Sequence, residues 1–226
     1  METIIDNLRN AGVVKGEIVA CDATFIKAYS KRDPEDDSRG YSDSEARVGR
    51  AGKGYQLGYK VHLAVDAFSE LPLAVTAAPA NENEKKHAPK LLEKAVKASN
   101  GQTKVLVADS QYSSRRLRKF MENYGVKPII PYPSSHKPAE AEFLRVDNRF
   151  RAHGPESLKR LYAYKASAER TISRLKQHLS LENHKVRGLR NILTHALICI
   201  IAMLLIPLTA IKLGKLDKIR AITTLA

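Results

Sequence analysis

The reading of this chain turns on Ile18–Phe25, IVACDATF. A short apolar, β-rich run of this kind suits a buried strand, yet it carries Asp22. An ionised carboxylate among apolar neighbours is costly unless it is paired or bound to a metal. A second run, Val105–Asp109, VLVAD, closes on Asp109 in the same way. On spacing alone, two unrelated strand-end aspartates would look no different. A third carboxylate, delivered by a helix, would complete a hard, oxygen-only site for divalent cations of the Mg²⁺ or Mn²⁺ type. Glu169 is the candidate. It lies in Ser157–Glu182, SLKRLYAYKASAERTISRLKQHLSLE, which combines strong helix formers with a dense basic face. At about 100° per residue, Tyr162, Lys165, Glu169 and Lys176 share one broad helix face. The plainer reading of the same stretch is a surface helix with scattered charge.

Working outward, Glu2–Asn10 reads as a short amphipathic helix stopped by Ala11-Gly12, with Lys15-Gly16 as a turn before the first strand. The polar segment from Ser30 to Gly54 has little apolar periodicity and reads as a mobile loop. Arg47, Arg50 and Lys53 would let it grip phosphates, or it is a solvated linker. Tyr59–Asp66 and Leu71–Ala78 form a hairpin around AFSE, with Asp66 as a turn-forming aspartate rather than a catalytic one. A helix then runs to about Ser99, and Pro89 favours a start near His87 over one at Asn83. Val105–Ala108, a basic helix over Ser113–Tyr124 and a strand over Val126–Pro131 make a β-α-β unit with a right-handed crossover. The proline-rich PYPSSHKPAEAEF is irregular. Three antiparallel strands followed by alternating helix and strand predict an α/β fold, a mixed five-stranded sheet flanked by helices. Ile192–Ile211 contains the apolar run ALICIIAMLLIPLTAI; its uninterrupted part ends before Pro207, short of the ~20 residues that span a bilayer. It reads as a core helix, with no membrane partner.

Lys and Arg outnumber Asp and Glu by 38 to 24 across 226 residues, a formal charge of +14. That balance suits a polyanionic partner better than an acidic metabolite, and since a ribosomal protein or a membrane-surface binder could show the same excess, charge alone decides only the partner's sign. The excess clusters between Lys159 and Arg190. Cys21 and Cys199 lie in apolar runs and show no Cys-x-x-Cys spacing, so neither a disulfide framework nor a zinc site is indicated. A reducing cytoplasm fits, and METIIDNLRNAG does not resemble a signal peptide. The seven histidines show no ligand-like pairing and receive no chemistry.

The order Tyr162, Lys165, Glu169, Lys176 resembles the Tyr-Arg-Glu-Lys signature of bacterial insertion-sequence DDE transposases, with Lys165 where that family usually has Arg. The resemblance continues through CDATFIKAYSK around Asp22, GYKVHLAVDAFSELPLAVTAAPANENE after it, ADSQYSS at Asp109 and KVRGLRNILTHAL beyond Glu169. It covers nearly the whole chain from about residue 17. It implies a ribonuclease H-like catalytic domain over residues 18–226, preceded by a short helix and linker over 1–17. In that arrangement the first and fourth strands are neighbours, so Asp22 and Asp109 lie side by side with the Glu169 helix packed across them. The implied activity is metal-dependent cleavage and strand transfer of an insertion sequence, with Asp22, Asp109 and Glu169 holding two divalent cations, Mg²⁺ or Mn²⁺. Tyr162, Lys165 and Lys176, with Arg170 and Arg187 from the basic stretch, would contact DNA. Lys165 lacks the bidentate fork of Arg, so its contact would be looser. The implied partners are transposon-end and target DNA and a second copy of the chain in the DNA complex. The implied location is the cytoplasm, on the nucleoid when DNA is bound. Little precedes the first catalytic strand where family members usually carry an end-recognition region, which suggests a truncated copy or recognition encoded elsewhere. A decayed or domesticated copy that binds without cutting, or a stand-alone nuclease on the same fold, is the alternative.

Overall fold

The longest strand, β3 (Gly54–Asp66), organises the sheet in this computed structural model, which describes residues 1–32, 40–133, 145–146 and 152–222. Ahead of it come α1 (Glu2–Asn10), β1 (Ile18–Lys27) and β2 (Arg47–Ala51). After it come β4 (Leu71–Pro79), α2 (Glu84–Ala98), β5 (Val105–Ala108), α3 (Arg115–Asn123) and β6 (Lys127–Ile129). The small pair β7 (Arg145–Val146) and β8 (Ala152–His153) precedes α4 (Glu156–Tyr162), α5 (Lys165–His178) and α6 (Leu189–Lys212).

The main sheet runs β4-β3-β1-β5-β6, with β2 paired to the start of β3. β1 is antiparallel to β3, from Val19 opposite Asp66 to Lys27 opposite Gly58, and β3 is antiparallel to β4. β1 is parallel to β5, from Ile18 opposite Val105 to Cys21 opposite Ala108, and β5 is parallel to β6. One more step of that parallel register sets Asp22 beside Asp109. The mixed sheet expected from the sequence is therefore present, with six strands where five were expected, because β2 adds to β3. Between Tyr59 and Ala78 its strands are buried almost throughout, as a sheet covered on both faces must be. α2 and α6 pack on the β3–β4 side and α5 crosses β1 and β3.

Several boundaries differ from the sequence reading. The polar segment before Gly54 is not all loop: β2 and the first residues of β3 form a hairpin, because RVGRAGKGY alternates well enough to pair once Gly52 supplies a positive-φ turn. α2 begins at Glu84, not near His87. The Asn83 side chain caps it by accepting from the Lys85 amide, and Pro89 sits early enough to remove only one helical hydrogen bond. β6 covers only Lys127–Ile129 of the expected strand. α6 continues through Pro207 as one helix of 24 residues. By length and composition it could cross a membrane, but one stripe, from Ile192 through Ala196, Ile200 and Leu204 to Ala210, is buried in the core. Residues 134–143 of the proline-rich segment lie outside the described residues.

Asp66 is fully buried at the hairpin end. It accepts from the Gly16 amide at 2.8 Å and from the Ser69 amide and hydroxyl at 2.9 and 2.6 Å, so it stitches the N-terminal linker to the turn, as a turn-forming aspartate should.

Candidate active site

Asp22 sits in the middle of β1, and Asp109 directly follows β5 and caps the 3-10 turn Ser110–Tyr112. Each commits one oxygen to nearby backbone: Asp22 Oδ1 accepts from the Ala23 amide and Asp109 Oδ1 from the Gln111 amide, both at 2.9 Å. That fixes the carboxyls and leaves Oδ2 of each for the cleft. Burial raises the Asp22 carboxyl above the usual carboxylate range, although the Lys165 ammonium pulls it down. Burial and the neighbouring Asp22 charge push Asp109 up to about 6. The two aspartates thus form a concentrated negative charge that the fold only partly neutralises.

The helical stretch expected over Ser157–Glu182 is divided. α4 ends at Tyr162 and α5 begins at Lys165, with 3-10-type hydrogen bonds from the Tyr164 amide to Leu161 and from the Ala166 amide to Ala163 between them. Tyr162 therefore does not share one straight helix face with Glu169. The break lets α4 lay Leu158, Leu161 and Tyr162 over Val107 and Ile129 while α5 takes a separate path across β1. α5 buries Ala168, Thr171, Ile172 and Leu175 and leaves the Glu169 side chain 55% exposed.

Lys165 is the link between the strands and Glu169. Its ammonium pairs with Glu169 Oε1 and stands 3.6 Å from Asp22 Oδ2. Burial alone would lower its pKa, but the attraction of Asp22, Glu169 and Asp109 raises it. Among the described residues, no three His, Cys, Asp or Glu side chains stand close enough to hold a metal ion as they are. The cation between Asp22 and Glu169 is Lys165. An oxygen-only donor set fits a hard divalent cation, and the only partly neutralised Asp22–Asp109 pair has the charge to attract one. Glu169 would join them by releasing Lys165.

Tyr162, Lys165 and Glu169 line one cavity of about 420 Å³ against Asp109 and Gln111. A second cleft of about 390 Å³ opens on the other side of the aspartates, lined by Arg50, Lys60, Glu84, Tyr112 and Lys176 among others. Lys176 pairs with Glu182 at 2.5 Å at this cleft. Burial pushes the Tyr162 phenol up to about 12, so it stays protonated at neutral pH. Two of the expected DNA contacts are engaged elsewhere. Arg170 pairs with Glu70 at 2.7 Å, and Arg187 donates to the Tyr29 carbonyl at 3.0 Å and lies over its ring.

Sequence reasoning missed Lys60 and Glu84, which pair at 2.7 Å in the cleft wall. The signal that flagged Asp22 was available here too, since Lys60 is a charged residue within the strand run GYKVHLAV. It also missed Glu70, a nearly buried carboxylate in the β3–β4 turn that meets Arg170, Arg174 and Arg220 while its carbonyl accepts from Thr171 and Arg174. This cluster ties α5, and with it Glu169, to the sheet. His62 is buried behind the site, with Nδ1 3.2 Å from the Tyr112 hydroxyl and its ring stacked on His87. Burial holds it down at about 4, so it is neutral and structural.

A family model described as the transposase DDE domain matches residues 14–205. No curated protein sequence matches the chain. Among solved structures, the piggyBac transposase synaptic complex with hairpin DNA matches with a TM-score of 0.51 at 11% identity, over 97% of this chain and 56% of that one. The chain thus spans little more than half the length of that relative. The catalytic core domain of BIV integrase matches with a TM-score of 0.43 at 10% identity over 83% of each chain. The Mos1 mariner paired-end complex with Mn gives 0.32 at 12% identity, over 56% of this chain and 40% of that one. At such identities the piggyBac likeness speaks to the fold alone, and the sheet order agrees with it: the fold is ribonuclease H-like.

Proposed function

The chain belongs to the transposase DDE-domain family, whose members are metal-dependent DNA-cleaving and DNA-joining enzymes, and from that premise we propose that Asp22, Asp109 and Glu169 are its catalytic carboxylates. The observation that carries the proposal is the parallel register of β1 and β5, which brings two aspartates together at the end of their shared ladder, with Lys165 bridging towards Glu169.

Two divalent cations, Mg²⁺ or Mn²⁺, would activate water or a 3′-hydroxyl and stabilise the leaving oxygen of an in-line displacement. The chain's own residues prepare that chemistry. Asp22 and Asp109 each offer a carboxyl fixed through Oδ1, with Oδ2 of Asp22 facing the Lys165 ammonium. Lys165 holds the negative charge together until DNA arrives, then exchanges its carboxylate partners for a backbone phosphate, which frees Glu169 to turn inward. Tyr162 donates its phenolic hydrogen to the same phosphate region. Lys176 and Arg50, on the other side of the aspartates, hold the flanking strand by charge. Arg170 and Arg187 hold partners away from the cleft, so their contribution to DNA binding is smaller, whereas Lys165 and Lys176 stand at the cleft and exchange their Glu169 and Glu182 pairings for phosphate. The domain acts on transposon-end and target DNA, works as a dimer in the DNA complex and resides in the cytoplasm, on the nucleoid when bound. Residues 18–226 form the catalytic unit, with 1–17 as a short helix and linker.

The test is incubation of the parent and Glu169→Gln with the element's own terminal DNA and Mg²⁺ or Mn²⁺. Cleaved and joined products should form with the parent and fall by at least about 100-fold with the variant, while DNA affinity stays within about twofold. Hydrolysis without joining would turn the reading to a nuclease. Joining undiminished by Glu169→Gln would remove Glu169 from the site.

A further inference from the structure

The β2–β3 hairpin presents an aromatic side chain that the packing of the protein does not use. Tyr55 is 76% exposed, the most exposed large apolar side chain among the described residues, and it has no hydrogen bond or ring contact there. The register sets Tyr55 directly opposite Arg50, so the two side chains stand on the same face of the hairpin. Arg50 lines the cleft that contains Asp22 and Asp109, and so does Gly52 at the hairpin turn. The face bearing Tyr55 thus meets the cleft through the Arg50 side chain, while Tyr55 itself stands outside the cleft lining. Val48 and Leu57, one step along, share it, and Val48 is also exposed.

The other face of the hairpin is seated on the body of the protein by glycine. A Cβ at Gly49 would stand 2.2 Å from the Ala80 carbonyl oxygen, and one at Gly58 would stand 2.3 Å from the Ile26 carbonyl oxygen. Such close seating leaves the hairpin little freedom to fold Tyr55 away. An exposed, rigidly presented aromatic ring beside Arg50, with Lys53 at the turn, has the composition of a site for a base with its flanking phosphates.

Resting on the reading of this cleft as the place where DNA is cut, we propose that Tyr55, eight residues along β3 from the partner of Asp22, is a stacking platform for an unpaired nucleobase of the strand that leaves the cleft, with Arg50 and Lys53 holding the neighbouring backbone. A ring face accepts any base, so the site recognises single-stranded character rather than sequence. Duplex DNA would engage it only where a terminal nucleotide has left the stack, which is easiest at a nicked or frayed end.

The chain contains no tryptophan, so Tyr55→Trp introduces a single fluorophore at the site. Titrating that variant with an oligothymidylate should quench its fluorescence, and a blunt duplex of equal length should quench it far less. Tyr55→Ala should weaken oligothymidylate binding by at least about fivefold, whereas Tyr55→Phe, which keeps the ring, should stay within about twofold of the parent. Because Tyr55 is exposed, thermal unfolding of all three variants should match the parent. Absence of quenching together with parental binding by Tyr55→Ala would overturn the proposal, as would equal loss in Tyr55→Phe and Tyr55→Ala. Asp22→Asn run alongside separates the two readings. Quenching with cleavage unaffected by Asp22→Asn would sink the active-site reading alone, and cleavage lost in Asp22→Asn without stacking at Tyr55 would sink this one alone.

Discussion

At the scale of single residues, the site trades stability for charge. Asp109 titrates near 6 in the folded chain against 3.8 for the unperturbed group, with burial as the main cause and the Asp22 charge second. A carboxyl whose folded pKa is raised favours folding in its protonated form. Its stabilising contribution is complete below about pH 4 and is lost as pH rises through about 6. At pH 7.5 the metal-free protein therefore carries a penalty that an amide would not. We expect Asp109→Asn, which keeps the Oδ1 acceptor for the Gln111 amide, to stabilise the chelator-treated protein at pH 7.5 by about 1–2 kcal/mol after allowance for water in the cleft, and by far less at pH 4.5. Urea unfolding at the two pH values measures this directly. An equal effect at both would mean that the charge of Asp109 is not the cause. Asp22 and Asp109 were legible in the sequence because a charged residue inside a short apolar strand has few physical excuses. Lys60 had the same signature and was passed over because a lysine suggests no metal.

At the scale of elements, α5 depends on a contact that no local pattern announces. Glu70 stands at φ 59°, a conformation that suits Gly or Asn better than Glu, in a turn 100 residues from the Arg170 that it meets. Its carboxylate pairs with Arg174 at 2.9 Å and its carbonyl takes the Thr171 hydroxyl at 2.9 Å. Glu70→Ala leaves the half-buried Arg174 without its carboxylate partner and should cost about 2–3 kcal/mol in denaturant unfolding. Cleavage should fall more than DNA affinity, since α5 carries Glu169 but most of the basic surface lies elsewhere. Unchanged stability would show that the apolar face of α5, Ala168, Ile172 and Leu175, holds it unaided. Such long-range pairing is not readable from one sequence, and neither was the break between α4 and α5. Ala163 and Tyr164 are both in the helical region, without the Pro or Gly that marks a helix end. The β2–β3 hairpin escaped for the opposite reason, because glycine suggested a loop where Gly49 permits close approach to Ala80.

At the scale of the whole molecule, the sheet places two carboxylates by register, α5 brings a third within reach, and Lys165 stands where their charges meet. The main strands followed from hydrophobic alternation and turn residues, which are local and strong, while their neighbours in the sheet followed from the family resemblance. The state of the site did not, because the pairing of Lys165 with Asp22 and Glu169 depends on how two helices cross a strand. A net charge of +14 supplies the affinity for DNA without regard to these three acids, so binding and cation capture should separate cleanly. The measurement that tests this most directly is electron paramagnetic resonance counting of Mn²⁺ bound to the complex with end DNA, for the parent and for Asp22→Asn, with DNA affinity followed in parallel. The account predicts bound Mn²⁺ in the parent complex, its loss in Asp22→Asn and DNA affinity that is kept or strengthened. Mn²⁺ occupancy in the variant equal to that of the parent would contradict it.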